Sequence, residues 1–184
     1  MISVAVKFTN ESESEEAKIL RDQMLCSIID NFNNEDVKTT ESGKPYLENS
    51  NVGFSVSHSG GGILVAVNSN RKVPMPCLYF NCGKDSSVGA DIEAVGKRDS
   101  ERLEKVCDKY FSDAEKLLVA NALDKETAIL EIWTKKEAYL KLIGVGIKGI
   151  ATADTELLKK DYIFHSKKTT LEGKEFVLSV SAKR

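Results

Sequence analysis

The spacing of apolar residues changes along the chain, and each spacing predicts a secondary-structure element. Ile2 to Phe8 alternates apolar and polar residues, and the apolar-rich stretches Val52 to Ser59 and Ile63 to Val67 flank the glycines at 60–62. Side chains of a strand point alternately to its two faces, so these stretches predict one strand and then a hairpin. Between them, apolar residues recur every three or four positions, which predicts a helix that ends within Asn31–Asn34. The apolar stripe of that helix is Ala17, Leu20, Met24, Ile28 and Phe32.

The second half of the chain repeats this mixture of strands and helices. Val88 to Glu93 alternates as a strand does, and Ser112 with Glu115 forms a capping box at the start of a helix. Asp124 can cap a longer helix, which Gly144 can end in a left-handed conformation. The apolar face predicted for the long helix consists of Ile129, Ile132, Trp133, Leu140 and Ile143. The remaining predicted elements are a helix at 100–110 and two paired strands at 161–166 and 174–182.

The order of these elements predicts a mixed α/β (α+β) chain in two α/β halves. We place the first half at residues 1–86, including a connection at about 69–86 that is rich in turn residues. The second half is residues 87–184. A chain of 184 residues is long enough for one ordinary domain or two small ones, so either organisation can bury a core.

Composition and charge narrow the range of partners. The chain has 26 Lys and Arg against 28 Asp and Glu, so no net basic field favours nucleic acid or an anionic membrane surface. Its apolar runs are too short to span a bilayer, and its N-terminus alternates where a signal peptide would be continuously apolar. We therefore expect a cytoplasmic location. The scattered Cys26, Cys77, Cys82 and Cys107 favour reduced thiols, with a Cys77–Cys82 disulfide as the alternative.

Carboxylates from two separate elements can meet at one metal site. Asp91 and Glu93 lie on one face of their predicted strand, and Glu137 and Lys141 lie one turn apart on the long helix. Carboxylate oxygens are hard ligands that suit Mg²⁺, which shares its shell with water and substrate phosphates. Each pattern also has a purely structural interpretation. Asp91 and Glu93 could form an exposed strand face, and Glu137 and Lys141 could form a surface ion pair. Their combination favours a site for a diphosphate and its metal.

Two polar stretches in the first half offer further contacts for an anion. Ser57 and His58 stand at the mouth of the predicted glycine turn, and Lys44 stands in a Gly-Lys-Pro loop. No acid stands at a spacing that fixes a nucleophilic triad, so we do not interpret Ser57 as a nucleophile. Lys18 and Arg21 fit a solvated helix face, with a phosphate contact as the alternative.

Four stretches of the sequence carry a family resemblance. They are Gly43–Pro45, Phe54–Ser59, a Gly-x-Asp-x-Glu strand at Gly89–Glu93 and Trp-x-x-Lys-Glu-Ala-x-x-Lys at Trp133–Lys141. Together they resemble the 4'-phosphopantetheinyl transferases, and the first two point to the larger, surfactin-type branch. The resemblance implies two similar α/β halves in a pseudo-twofold arrangement, with the active site between them, in a monomer. Residues 71–87 look inserted relative to the family, and the N-terminal basic cluster that often holds a 3'-phosphate is thin.

The resemblance also implies a reaction. In the presence of Mg²⁺, coenzyme A gives its 4'-phosphopantetheine arm to a serine of an apo acyl or peptidyl carrier protein and leaves as adenosine 3',5'-bisphosphate. A binding module that keeps the coenzyme A pocket, and another Mg²⁺-dependent phosphotransferase or pyrophosphatase, stay open as alternatives. By resemblance the metal ligands are Asp91, Glu93 and Glu137, the catalytic residues are Glu137, Lys141 and Asp91, and the coenzyme A contacts are Lys44, Ser57, His58 and Lys141.

Overall fold

Two antiparallel sheets packed face to face, with helices on their outer sides, organise the described part of the chain. The computed structural model describes residues 1–48, 50–80, 86–96 and 100–184. Its strands are β1 (Ile2–Phe8), β2 (Val37–Thr39), β3 (Pro45–Leu47), β4 (Gly53–Ser59), β5 (Gly62–Asn68), β6 (Leu78–Phe80), β7 (Gly89–Ala94), β8 (Tyr162–Leu171) and β9 (Lys174–Lys183). Its helices are α1 (Glu13–Cys26), α2 (Ser100–Tyr110), α3 (Asp113–Ala120), α4 (Lys125–Ile143) and α5 (Thr155–Leu158), with 3-10 turns at Asn34–Asp36 and Ile147–Thr152.

The N-terminal sheet has the strand order β4-β5-β1-β6, and its neighbouring strands pair antiparallel. Strand β5 is buried on both faces, which explains its continuous apolar run. Ile63, Val65 and Val67 pack with the apolar stripe of α1, whereas Leu64 and Ala66 face the second sheet. The predicted strand and hairpin of this half are confirmed.

The C-terminal sheet has the order β7-β9-β8, and α4 lies on its outer face. Alternate residues of β7 and β9 point inward to the N-terminal sheet, as the period of a strand requires. The opposite residues of β7, including Asp91 and Glu93, therefore point to the side on which α4 lies. The core between the two sheets contains Ile2, Val4, Leu64, Ala66, Val88, Ala90, Ile92, Phe176, Leu178, Val180 and Ala182.

The helix boundaries in the second half follow local capping groups. Ser112 and Glu115 form the predicted capping box of α3, and Asp124 accepts a hydrogen bond from the Thr127 amide at the start of α4. Hydrogen bonds from the Thr127 hydroxyl and amide lower the pKa of the Asp124 carboxyl below its ordinary value. Gly144, with φ of 74°, ends α4 in the left-handed region. These predicted boundaries are confirmed.

Two details of the predicted helices are wrong. Helix α1 ends at Cys26, because the Ser27 hydroxyl donates to the Met24 carbonyl and the chain then turns. Ile28 lies beyond the end of the helix but is still buried, so its helical spacing from Met24 reflects burial in the core and not helical structure. Ile143 is 41% exposed and stands in the last turn of α4, so it does not belong to the buried face of the helix.

The connection at about 69–86 contains the short strand β6, which the sequence did not predict. It pairs with the free edge of β1, and Ser3 stands opposite Tyr79.

The described cysteines carry free thiols; they are Cys26, Cys77 and Cys107. Cys82 lies outside the described residues, so the alternative of a Cys77–Cys82 disulfide is not tested. The mixed α/β class is confirmed, while the division at residue 86 and the pseudo-twofold relation stay predictions. No helix of the described ranges is both long and apolar enough to cross a membrane.

Candidate functional site

Helix α4 approaches the backbone of the C-terminal sheet very closely at Gly89, beside the candidate site. A Cβ atom at this position would lie 1.8 Å from the Ala138 carbonyl oxygen and 2.5 Å from the Leu142 amide nitrogen. Any larger residue would therefore push the helix away from β7. The glycine of the Gly-x-Asp-x-Glu pattern thus lets α4 lie directly on β7, which brings Glu137 and Lys141 close to the carboxylates of the strand.

Ser57, Asp91 and Lys141 form a closed hydrogen-bonded cluster where β4, β7 and α4 meet. Asp91 Oδ1 accepts a hydrogen bond from Lys141 Nζ at 2.7 Å and another from Ser57 Oγ at 2.8 Å. Lys141 Nζ also donates to Ser57 Oγ at 2.9 Å. The second carboxylate oxygen, Asp91 Oδ2, is buried and has no hydrogen-bond partner among the described residues. Buried polar atoms are almost always paired with protein groups, water or a ligand, so this oxygen has capacity for one further partner.

A cavity of about 260 Å³ lies beside this cluster and contains Glu137 and Lys141 in its lining. The hairpin of β2 and β3 closes one side of it and carries Lys44 in its turn. Lys44 Nζ donates to the Leu142 carbonyl at 2.7 Å, near the C-terminal end of α4. A cation is favourable there because the carbonyls of the last helical turn lack partners within the helix. Three of the predicted site residues thus share one cavity.

His58 lies on the opposite face of β4 from Ser57, because adjacent residues of a strand point in opposite directions. Its Nδ1 atom is 2.9 Å from Glu13 Oε2, and the Gly61 amide donates to Glu13 Oε1 at 2.6 Å. Ser57 and His58 stand next to the glycine turn as predicted, but their side chains face opposite sides of β4 and do not face one anion together. His58 instead lines a second groove with Lys18 and Arg21, which shares Gly43 and Pro45 with the cavity at Glu137.

The donor atoms fit a magnesium ion better than they fit a metal held by protein ligands alone. Within the described ranges, no three His, Cys, Asp or Glu side chains are gathered into a ready metal cage. Mg²⁺ is usually held by one or two carboxylates together with water and substrate phosphates, so it does not require such a cage. Asp91 and Glu93 supply hard oxygens from one strand face, and no group in the described part of the chain hydrogen-bonds to Asp91 Oδ2. The residues present are compatible with Mg²⁺ in the presence of a phosphate substrate.

The lysine of the Trp-x-x-Lys-Glu-Ala pattern serves a different purpose. Lys136 is buried on the side of α4 away from the cavity, and its Nζ lies 2.8 Å from Glu115 Oε2. It also contacts the Ala153 carbonyl and the face of the Phe111 ring. This pair was not among the predicted site residues. The available signal was the capping-box glutamate together with a lysine beside the apolar stripe.

Two serines beside Ser57 were also missed. Ser55 Oγ accepts a hydrogen bond from the Ala90 amide at 3.0 Å, and Ser59 Oγ donates to Glu93 Oε2 at 2.8 Å. The period of two along Phe54–Ser59 could have identified them, since it places all three serines on one face of β4.

Comparison with known proteins identifies the family. The model of the 4'-phosphopantetheinyl transferase superfamily matches residues 87–179, just over half of the chain. The chain belongs to this superfamily. The matched segment contains β7 and α4, which hold Asp91, Glu93, Glu137 and Lys141. The predicted resemblance is therefore confirmed on the segment that carries the proposed metal ligands.

Individual relatives of the superfamily are distant. The 4'-phosphopantetheinyl transferase gsp of Aneurinibacillus migulanus is 27% identical over 121 residues, 64% of this chain and 42% of the relative. The 4'-phosphopantetheinyl transferase psf-1 of Bacillus pumilus is 28% identical over 127 residues, 67% of this chain and 46% of the relative. The matched part of the chain thus spans less than half the length of these relatives. A crystal structure of Thermotoga maritima holo-[acyl-carrier-protein] synthase is similar over 53% of this chain and 64% of that chain, with 20% identity and a TM-score of 0.35.

Proposed function

We propose that this chain transfers the 4'-phosphopantetheine arm of coenzyme A to a serine of an apo acyl or peptidyl carrier protein, with adenosine 3',5'-bisphosphate as the second product. The observation that carries the proposal is the Ser57–Asp91–Lys141 cluster beside a cavity that contains Glu137. It combines an unpartnered carboxylate oxygen, a cation and an acid–base residue at one location. Diphosphate chemistry requires these groups, since it depends on positioning and charge stabilisation.

Asp91, Glu93 and Glu137 are the residues that would hold the metal in this proposal. When bound, Mg²⁺ supplies positive charge that neutralises the diphosphate. Asp91 is largely buried, whereas Glu93 and Glu137 are half-buried and so remain open to a ligand that enters from solvent.

Glu137 and Lys141 have separate roles in the proposed reaction: Glu137 accepts a proton and Lys141 stabilises negative charge. The serine hydroxyl of the carrier attacks the phosphorus that bears the pantetheine arm, and Glu137 accepts its proton directly or through a water molecule. The bond from that phosphorus to the oxygen of the adenosine bisphosphate breaks, and this oxygen leaves with negative charge. The Lys141 ammonium stabilises that charge, which grows as the bond breaks.

The remaining phosphate contacts are assigned to the N-terminal half. Ser57 and Lys44 lie next to the cavity and can donate to the diphosphate after they release Asp91 and Leu142. His58, Lys18 and Arg21 line the neighbouring groove, where we place the nucleotide phosphates. The Arg21 guanidinium contacts Asp22, so its charge is partly compensated in the free chain.

Intact-mass analysis tests the proposal. The chain is incubated with coenzyme A, Mg²⁺ and a panel of apo carrier proteins from fatty-acid, polyketide and peptide synthesis, and at least one carrier should gain the mass of the arm. Glu137→Gln should abolish the gain while the circular dichroism spectrum of the chain stays unchanged. The proposal is wrong if no carrier gains mass, and Glu137 is not the base if the Gln variant keeps full activity.

A magnesium titration of the same reaction tests the assignment of the ligands. Asp91→Ala should shift the Mg²⁺ requirement to higher concentration, because the variant lacks the buried carboxylate of β7. An unchanged titration curve would remove Asp91 from the metal site.

The two alternative functions give different results in the same assays. A binding module would bind coenzyme A in calorimetry without modifying any carrier. Another phosphotransferase or a pyrophosphatase would consume coenzyme A in the absence of a carrier serine.

A further inference from the structure

We infer that Ser59 is a positioning residue of the proposed site, whose hydroxyl fixes the Glu93 carboxylate as a metal ligand. The inference rests on the proposed metal site and extends it to a residue outside the ligand set. Ser59 Oγ donates to Glu93 Oε2 at 2.8 Å. Both residues are half-buried, so the contact lies near the surface of the protein and not in the core.

Ser59 belongs to a row of serines that connects the two sheets. Ser55, Ser57 and Ser59 occupy alternate positions of β4, and all three hydroxyls bind β7. Phe54, Val56 and His58 point to the α1 side instead, as the period of the strand requires. The contacts, in order along β4, are Ser55 with the Ala90 amide, Ser57 with Asp91 Oδ1 and Ser59 with Glu93 Oε2. Each carboxylate of the Asp-x-Glu pattern thus has a serine partner from the other sheet.

The hairpin between β4 and β5 sets the position of Ser59. A Cβ atom at Gly62 would lie 2.5 Å from the Phe176 ring, so glycine allows the hairpin to rest on β9. Phe176 stands opposite Ala94 in the sheet, one residue beyond Glu93. This contact therefore brings the end of β4 to Glu93.

The start of the chain holds the other side of the same turn. Gly61 adopts φ of 91°, and its amide donates to Glu13 Oε1 at 2.6 Å. Its carbonyl accepts a hydrogen bond from the Thr9 amide at 2.8 Å. The turn is thus fixed by β1, α1 and β9, and Ser59 presents its hydroxyl from a rigid support.

The chemistry of a metal ligand explains why such a partner matters. A carboxylate on a strand edge can rotate about its terminal bond, and a donor on one oxygen selects one orientation. Partners that orient metal ligands typically contribute about 10- to 100-fold in metal affinity. A single hydrogen bond at a half-buried position contributes only about 1 kcal/mol to folding. Ser59 should therefore affect metal binding more than it affects stability.

Manganese binding tests this inference without any measurement of activity. Mn²⁺ is titrated into the chain, with and without coenzyme A, and the free Mn²⁺ is measured by electron paramagnetic resonance. Ser59→Ala should bind Mn²⁺ about 10- to 100-fold more weakly than wild type. Ser59→Thr keeps the hydroxyl in a strand-compatible residue and should restore binding.

Ser166→Ala is the matched control. Ser166 of β8 is half-buried like Ser59, and its hydroxyl is hydrogen-bonded to the hydroxyl of Ser179 on β9 at 2.8 Å. The control variant should bind Mn²⁺ as wild type does. Equal affinity of Ser59→Ala and wild type would overturn the inference and leave the proposed function intact. An equal loss in Ser59→Ala and Ser166→Ala would also overturn it, since the effect would then be general loosening. If wild type binds no Mn²⁺ under either condition, the proposed metal site itself is wrong.

Discussion

Lys136 and Lys141 of helix α4 pair with carboxylates of other elements at nearly equal distances but in very different surroundings. Lys136 lies 2.8 Å from Glu115, and Lys141 lies 2.7 Å from Asp91. Five residues along an α-helix correspond to a rotation of about 140°, so the two lysines point to different sides. The side chains of the first pair are 1% and 0% exposed, whereas those of the second are 31% and 7% exposed.

The first pair is saturated with partners from the protein itself. Glu115 Oε1 accepts hydrogen bonds from the amide and the hydroxyl of Thr155, and Oε2 accepts one from the Ser112 amide in addition to Lys136. Lys136 Nζ also donates to the Ala153 carbonyl. This pair joins α3, α4 and the start of α5. Groups of the protein already occupy both oxygens of the Glu115 carboxylate, so the pair offers little to a ligand.

The second pair is open to a ligand. Asp91 Oδ2 has no hydrogen-bond partner within residues 1–48, 50–80, 86–96 and 100–184, and Lys141 lines a cavity. Distance alone therefore does not identify a functional ion pair, because both pairs have ordinary contact lengths. Enclosure and unused hydrogen-bonding capacity separate them.

The largest expected effect is on stability, at the saturated pair. Lys136→Met should lower the free energy of unfolding by about 3–5 kcal/mol, because it leaves the Glu115 carboxylate buried without its cation. Urea denaturation followed by circular dichroism measures this. The double variant Lys136→Met, Glu115→Gln should recover part of the loss, and a loss below about 1 kcal/mol in the single variant would contradict the distinction.

Next in size is the effect of Lys141→Met on transfer. Loss of one group that stabilises developing charge typically lowers the rate about 100- to 1000-fold, and we expect that range here. The free energy of unfolding should fall by about 1.5 kcal/mol or less, because Lys141 is 31% exposed and solvent screens its end of the ion pair. Steady-state transfer and urea denaturation of the same preparation check both values. A variant that is as unstable as Lys136→Met would show that the two pairs are equivalent.

Lys141→Met should slow transfer but increase the affinity of the free chain for a metal ion. The Lys141 ammonium contacts Asp91 Oδ1, an oxygen of a proposed metal ligand, and so competes with a cation for it. Without coenzyme A, Lys141→Met should bind Mn²⁺ on the order of 2- to 10-fold more tightly, equivalent to about 0.4–1.4 kcal/mol. Weaker Mn²⁺ binding in the variant would show that Lys141 supports the site in the free chain instead of competing.

The smallest effect is expected at a third lysine, Lys44. Its ammonium contacts the Leu142 carbonyl near the end of α4, where a cation typically contributes about 0.3–1 kcal/mol. Lys44→Gln should reduce stability by that amount and raise the KM for coenzyme A. Lys38→Gln, on the exposed part of the same hairpin, serves as the control and should change neither value.

Local patterns predicted most elements well. The alternation of Ile2–Phe8, the glycine hairpin and the capped helix α4 are confirmed, because period, turns and caps depend on residues close in sequence. Strand β6 could not be predicted from its three residues, since it exists through pairing with the free edge of β1. Similarly, Ile28 satisfied the helical spacing of α1, but the tertiary core buries it from a turn.

The sequence by itself determined which residue types are available for the chemistry. The Gly-x-Asp-x-Glu and Trp-x-x-Lys-Glu-Ala-x-x-Lys patterns placed acids and bases on a strand and a helix, and they identified the family. Local periodicity could assign these side chains to faces of their own elements. It could not assign partners, because a partner may stand at any sequence distance.

Only the tertiary structure decided which lysine serves the fold and which serves the site. The partner of Lys136 lies 21 residues away in sequence and that of Lys141 lies 50 residues away. The close approach at Gly89 joins α4 to β7, and the contact between Gly62 and Phe176 joins the two sheets. Burial and electrostatic environment depend on such three-dimensional contacts, so one helix can carry a structural ion pair and a candidate catalytic one.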